Sequence, residues 1–404
     1  MHGFTRRHTV QAALAWLDAQ FHLLDVERVP LRAAANRVLA DAIVSDVDVP
    51  GFDRATMDGY AVAADSTEGA SPYNRMPLRV VGDAMPGAPH TGRVGPGEAV
   101  RIMTGAPVPQ GTDAVLPAEV VEPDPRDANR VAAVSAVSPG KNVGLRGEDI
   151  TAGTTLLQAG RVLRPQDLGV MSSIGIAELS VIRKPRVGLV ITGNELLPAG
   201  SRPHDFNITD ANGPLLAALV ERDGGVVEFP GLVRDNADAI LDALQTPADV
   251  IIVSGGSSVG IEDLTPMLVA KHGELAVHGI AMRPSSPTGL GRIGDRLVFL
   301  LPGNPVSALC AYDFFAGRAI RALGGRPKAW PYRAVHGKLA RKISSPVGRL
   351  DYARVRLDGH WIEPVSVGGA SVLSSTTRAD GFVVVPEDSE GFPAGADVEV
   401  WLYA

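Results

Sequence analysis

The sequence predicts a multidomain protein of the α/β plus β class: a doubly wound three-layer α/β domain, a discontinuous helical domain carrying an inserted β domain, and a small C-terminal β-barrel. Three observations carry this expectation. Residues 183–325 alternate apolar strand-like runs with helical stretches, the pattern of a parallel sheet covered on both faces. Residues 46–140 break into short apolar runs between glycines and prolines, the punctuation of a β domain. From residue 326 onward, apolar and polar residues alternate around glycine turns, as in a small barrel or sandwich. The 404 residues also exceed what one hydrophobic core organises.

In chain order, Val10, Leu14, Leu17 and Phe21 are spaced by four, three and four, which is a helical face. Pro30 then opens a second periodic stretch with Leu31, Ala35, Val38 and Leu39, where a proline at the first helical position is tolerated. Short strands follow in "PLRVVGDAMPGAPH" and "EAVRIMTGAPVPQGTDAVLPAEVV". "LRPQDLGVMSSIGIAELSVIRKPRV" returns to helix, so residues 1–45 and 141–182 are expected to form one domain around the inserted 46–140. In 183–325 the strands are "RVGLVITG", "VVEFPGLV", "DVIIVSGG" and "RLVFLLPG", and Gly224-Gly225 and Gly324-Gly325 sit where helix C-caps belong.

Hydrophobic residues at 45% and charged residues at 21% are ordinary for a soluble globular chain, and no apolar run is long enough to span a bilayer. The N-terminus lacks the apolar core and cleavage site of a secretory signal, so a cytoplasmic protein without membrane association is expected. The net charge of −7 argues against nucleic acid as a partner. Cys310 is the single cysteine, which excludes an internal disulfide and a cysteine-based zinc site; its apolar neighbours predict a buried structural thiol.

Ligands of open α/β sheets bind beyond the carboxyl ends of the strands. Here those positions hold Glu195 in "TGNE", Asp235 in "VRDN", the run Gly255, Gly256, Ser257, Ser258 to Asp263, and the turn Pro302, Gly303, Asn304, Pro305. Glycines admit a ligand to the backbone, serines add hydroxyl donors, and a helix N-terminus favours an anion. Glu195, Asp235 and Asp263 would crowd negative charge beside that anion unless a divalent cation such as Mg²⁺ lies between them. Each alone also fits a helix cap or a solvated turn. In the β domain, "PGFDRATMDGYAV" holds Asp53 and Asp58, "RIMTGAPVP" holds Thr104, and "GLRGEDI" holds Arg146, Glu148 and Asp149; by spacing alone these are surface turns.

Together, "DVPGFDRATMDGYAV", "MTGAPVPQGTDAV", "GLRGEDI", "DANG", "SGGSSVGIED" and "LLPGNPVSA" resemble the molybdopterin molybdenumtransferase family, which includes the E domain of gephyrin, in order and over nearly the whole chain. The resemblance implies an enzyme of molybdenum cofactor biosynthesis with a molybdopterin-binding α/β domain. Its substrates are adenylylated molybdopterin and molybdate, and the adenylyl group is cleaved with a divalent metal as molybdenum enters the dithiolene. It also implies a homodimer whose site is shared between the α/β domain of one subunit and the β domain of the other. The further partners that the resemblance implies are the molybdopterin adenylyltransferase and recipient molybdoenzymes.

Carried over residue by residue, Asp58, Asp149, Glu195, Asp235 and Asp263 are the implied catalytic positions. Thr104, Asp210, Asn212, Ser258 and Pro302 to Pro305 face substrate. The C-terminal "GRLDYARV" resembles the segment supplying an arginine near molybdate, with Arg354 the better match and Arg349 the runner-up, and "SVLSS" offers Ser375. Family members read Lys-Pro-Gly-Lys-Pro where this chain has Arg283-Pro284-Ser285-Ser286-Pro287. Arg283 keeps one of the two charges; Ser286 can donate a hydrogen bond but cannot neutralise an anion. Two alternatives therefore stand beside the transferase: a molybdopterin-binding carrier or scaffold, and an enzyme for another oxyanion such as tungstate.

Overall fold

The computed structural model describes residues 7–229, 231–255, 264–366 and 369–403. Contacts divide the chain into two units: residues 1–29, 34–40 and 180–404, and residues 30–33 and 41–179.

The second unit is organised by a six-stranded sheet in the order Ala114–Pro117, Gly59–Val62, Glu98–Ile102, Met76–Ala84, Arg130–Ala133, Val121–Pro123. Its strands alternate between two cores. Ala61, Val100 and Val115 pack on one face, while Val62, Ala99 and Leu116 pack on the other. Asp58 precedes the Gly59–Val62 strand, and Gly59 is required there because a Cβ would lie 2.0 Å from the Leu116 carbonyl oxygen.

The first unit opens with the helix Val10–Asp18, where the Thr9 hydroxyl accepts from the Ala12 N–H at 3.1 Å and Val10, Ala13 and Leu17 are buried. A second helix over residues 30–39 does not form. Leu31–Ala33 make one 3₁₀ turn, Asn36 takes a left-handed φ of 61°, and Val38–Leu39 pair as a strand with Ile182 and Val181. A left-handed residue cannot continue a right-handed helix, and Val38 is better accommodated on a pleated surface. Within the second unit, the segment that follows the six-stranded sheet holds one helix, Pro165–Ser173, before the strand Glu178–Ile182.

The α/β sheet runs Val226–Glu228, Arg186–Thr192, Val250–Ser254, Arg296–Leu301, Gly289–Ile293, Glu274–His278. The first four are parallel, and Gly289–Ile293 is antiparallel to both of its neighbours, Arg296–Leu301 and Glu274–His278. Val190, Ile251, Val253, Val298 and Leu300 form part of its core with Ile240 and Leu244 of the helix Ala237–Leu244. Cys310 is buried in the helix Pro305–Ala311, as expected of a structural thiol, and burial pushes its thiol pKa well up.

The C-terminal strands close on themselves in the order Leu350–Asp358, Trp361–Ser366, Arg333–Leu339, Asp397–Leu402, Gly381–Val385 and back to Leu350–Asp358, giving the expected barrel. Ala353, Val355, Ile362, Val383 and Val400 fill it. One short strand of the α/β region, Met282–Arg283, joins the barrel in parallel register with Leu350 and Asp351.

Candidate functional site

A cleft of about 600 Å³ opens at the carboxyl ends of Arg186–Thr192, Val250–Ser254 and Arg296–Leu301. Its walls bring together Glu195, Asp210, Asn212, Asp235, Gly255 and the turn Pro302, Gly303, Asn304, Pro305, all singled out from sequence. Thr192, Ser254, Pro287 and Ser371 also line it. Gly256, Ser257, Ser258 and Asp263 lie outside the described residues.

Gly255 has a φ of 105°, and a Cβ there would meet the Thr192 carbonyl oxygen at 2.1 Å. Only glycine fits this strand end. Asn212 ties the site together: its Nδ2 donates to Ser254 Oγ at 2.8 Å and to the Gly303 carbonyl at 2.7 Å. The Gly303 oxygen can only accept, so the amide orientation is fixed. The Asn212 Oδ1 is then left buried without a hydrogen-bond partner among the described residues.

Asp210 accepts the Gly213 N–H, in the first turn of the helix Asn212–Arg222, at 2.8 Å. Asp235 accepts from the Thr192 hydroxyl, and its own N–H reaches Asn194 Oδ1 at 3.3 Å. Glu195 is exposed at the cleft. The described lining thus holds three carboxylates and no lysine, arginine or histidine.

The helix Pro305–Ala311 begins at the Pro302–Pro305 turn, but one of its leading N–H groups, that of Val306, is already taken by the Ala370 carbonyl at 3.2 Å. The 283–287 loop borders the cleft through Pro287. Within it Arg283 is ion-paired with the fully buried Asp351, and the Ser286 hydroxyl is buried without a partner among the described residues. Arg354 has no exposed surface, and burial lowers its pKa from the ordinary guanidinium value. Ser375 is also buried and donates to the Val372 carbonyl at 2.6 Å, whereas Ser371, four residues earlier, faces the cleft.

In the other unit Asp58 and Thr104 meet. Asp58 Oδ1 accepts from both the N–H and the hydroxyl of Thr104, each at 2.7 Å. Those donors hold its carboxyl below the ordinary range, the backbone N–H first. Asp149 is exposed, with its N–H on the Val49 carbonyl at 3.1 Å. Arg146 and Glu148 are engaged in loop pairing, Arg146 with Asp48 at 2.6 Å and Glu148 with Arg54 at 3.2 Å.

Sequence reasoning did not single out Thr192, Ser254, Ser371 or Asp351. The first two end apolar strands and read as strand residues; Asp351 reads as a strand polar residue. Only the register places it beside Arg283.

The chain matches three family descriptions in succession: the MoeA N-terminal region (domain I and II) over residues 8–175, the probable molybdopterin binding domain over 188–322, and the MoeA C-terminal region (domain IV) over 336–403. It is 36% identical over 385 residues to molybdopterin molybdenumtransferase 2 of Mycobacterium tuberculosis, covering 92% of this chain and 94% of that one. Against molybdopterin molybdenumtransferase of Staphylococcus aureus strain MRSA252 it is 31% identical, covering 97% and 95%. The structure of the molybdopterin biosynthesis moeA protein from Pyrococcus horikoshii superposes with a TM-score of 0.84 at 34% identity, over 99% of this chain and 100% of that one. No helix among the described residues is long and apolar enough to cross a membrane. With three family regions in order and full-length relatives above 30% identity, the chain belongs to the MoeA family of molybdopterin molybdenumtransferases, transferases of molybdenum cofactor biosynthesis.

Proposed function

We propose that the protein inserts molybdenum from molybdate into adenylylated molybdopterin and releases AMP. The observation that carries this reading is the cleft itself: a strand-end cavity of about 600 Å³ whose described lining is acidic, with a glycine-bounded floor and an Asn212 oxygen that has no partner among the described residues. An acidic wall repels a pyrophosphate unless a cation intervenes. At the strand ends the described lining offers Glu195 and Asp235, while Asp263 lies outside the described residues. That suits Mg²⁺, which is commonly held by one or two carboxylates together with substrate phosphates. Glu195 and Asp235 are the residues proposed to hold it. When bound, the ion would neutralise phosphate oxygens and polarise the phosphorus.

The chain's own groups supply the rest of the chemistry. Asn212 holds the Gly303 turn against Ser254, fixing the wall on which the pterin-bearing substrate is proposed to lie. Its Oδ1 is an acceptor suited to a ring N–H. Thr192 orients Asp235. Arg283 and Ser286 are proposed to receive molybdate, and Asp58, Thr104 and Asp149 to serve the same reaction in a homodimer.

The test measures AMP release from adenylylated molybdopterin and molybdenum incorporation, with and without Mg²⁺. Asp235→Asn should reduce metal-dependent AMP release about tenfold or more while leaving the fold intact, because one lost charged ligand disturbs a metal site strongly. Substrate binding without AMP release by the wild-type protein would make it a carrier. Equal rates for wild type and Asp235→Asn would remove the metal role from Asp235.

A further inference from the structure

Parallel register sets Arg283 directly beside Asp351. Arg283 Nη2 donates to one carboxylate oxygen of Asp351, and Arg349 Nε donates to the other at 3.1 Å. Arg349 lies in the bend just before the strand Leu350–Asp358, two residues ahead of Asp351. Asp351 is 0% exposed, while the side chains of Arg283 and Arg349 are 33% and 29% exposed. The cluster is a buried anion gripping two surface-reaching cations, with one positive charge in excess. Arg354 falls on the opposite side of the strand and is fully buried.

Two polar atoms in the same loop, Arg283 Nε and Ser286 Oγ, are buried without hydrogen-bond partners among the described residues. Buried donors are normally satisfied, so a pair left open beside excess positive charge is what an oxyanion would complete. The loop is anchored around them. Ser285 Oγ donates to the Ser307 carbonyl at 2.6 Å, Thr288 Oγ1 to the Ser285 carbonyl at 2.8 Å, and the Ile280 N–H to the Ser286 carbonyl at 2.8 Å.

We propose that Asp351 is a positioning residue for a tetrahedral oxyanion site: it holds Arg283 and Arg349 as paired guanidiniums beside Ser286, so that Arg349 supplies the second cation the loop lacks. This rests on the transferase reading, in which the oxyanion is molybdate. It also separates two electrostatic expectations of opposite sign. If Asp351 only opposed the anion, neutralising it would tighten binding. As a positioning residue, its neutralisation weakens binding although local positive charge rises by one.

Titration calorimetry with sodium molybdate on the full chain distinguishes these outcomes. Arg283→Ala and Arg349→Ala should each weaken binding ten- to a hundredfold, the range of one charge-assisted hydrogen bond. Asp351→Asn should weaken it about tenfold, and Asp351→Glu should recover part of that loss. Unchanged or tighter binding by Asp351→Asn, with both arginine variants weakened, overturns the positioning role and leaves the oxyanion reading standing. Wild-type protein that takes up no molybdate, or Arg283→Ala that binds it normally, overturns the oxyanion reading itself. If thermal melts show that Asp351→Asn does not fold, Arg349→Ala decides, since its side chain is partly exposed: wild-type affinity in that variant overturns the proposal.

Discussion

Replacing Asn212 with aspartate changes one side-chain nitrogen to oxygen and almost nothing in volume, yet the structure predicts a large effect. The Asn212 Nδ2 faces the Gly303 carbonyl at 2.7 Å and Ser254 Oγ at 2.8 Å, in a residue 7% exposed. An ionised aspartate loses the donor to Gly303 and points a carboxylate oxygen at that carbonyl. The Ser254 hydroxyl can turn to donate to the carboxylate, so one buried hydrogen bond at about 0.5–1.5 kcal/mol and a newly unsatisfied buried acceptor at about 1–3 kcal/mol give a loss of roughly 1.5–4.5 kcal/mol, to which burial of the charge adds. Asn212→Ala loses the bonds to both Gly303 and Ser254 but buries no charge, so it should fall between wild type and Asn212→Asp.

Urea unfolding followed by tryptophan fluorescence reads this directly, because Trp16, Trp330, Trp361 and Trp401 all belong to the unit that contains Asn212. Acidification should partly rescue Asn212→Asp, since the protonated acid regains a donor toward Gly303. Such a group is favoured folded in its protonated form, so its stability is present at low pH and lost as pH rises. A variant as stable as wild type at neutral pH, or one that weakens on acidification relative to Asn212→Ala, would refute the assignment of Asn212 as the clamp.

Ser285 has a φ of 86° while its buried hydroxyl holds the Ser307 carbonyl at 2.6 Å, so Ser285→Gly exchanges about 1–2 kcal/mol of relieved strain for about 0.5–1.5 kcal/mol of lost hydrogen bond. Its urea midpoint should stay near wild type and above that of Ser285→Ala, which keeps the strain and loses the bond; the reverse order would contradict this account. In the other unit, Asp167 is gripped by Arg161 through contacts of 3.0 and 2.9 Å, and those bonds, with Arg164, hold its carboxyl well below the ordinary 3.8. A depressed carboxylate stabilises above its unfolded pKa and loses that contribution as pH falls, so the gap in urea midpoint between wild type and Asp167→Asn, read by circular dichroism, should narrow below about pH 4. A gap independent of pH would show that the ion pair contributes nothing.

The parallel strands were legible because each is a continuous apolar run ending in glycine or a polar turn, and the rule for strand-end ligands then pointed to the cleft. The antiparallel edge was not. Gly289–Ile293 reads as a glycine-rich turn, yet a Cβ on Gly291 would lie 2.2 Å from the Glu274 carbonyl, so that glycine serves close strand approach. The stretch 30–39 misled in the opposite direction, since its apolar spacing fits a helix while Asn36 turns left-handed. Asp58 shows the same limit at the site. Spacing makes Asp58-Gly59 a common turn, but folding joins it to Thr104, 46 residues away.

The charge arrangement explains why the 283–287 loop could not be understood from its own letters. Read alone, Arg283-Pro284-Ser285-Ser286-Pro287 has one cation, and the cleft it borders has a described lining with three carboxylates and no base. An anion approaching along that wall alone would be repelled. On the proposed reading the compensating charge comes from the bend more than 60 residues later, where Arg349 shares Asp351 with Arg283. A carboxylate inside a cation cluster lowers its total attraction, but it fixes the direction of two flexible side chains that would otherwise lose conformational freedom on binding. On the proposed reading the two features divide the chemistry: the acidic wall would require a cation before accepting phosphate, whereas the arginine pair would carry its own positive charge to an oxyanion.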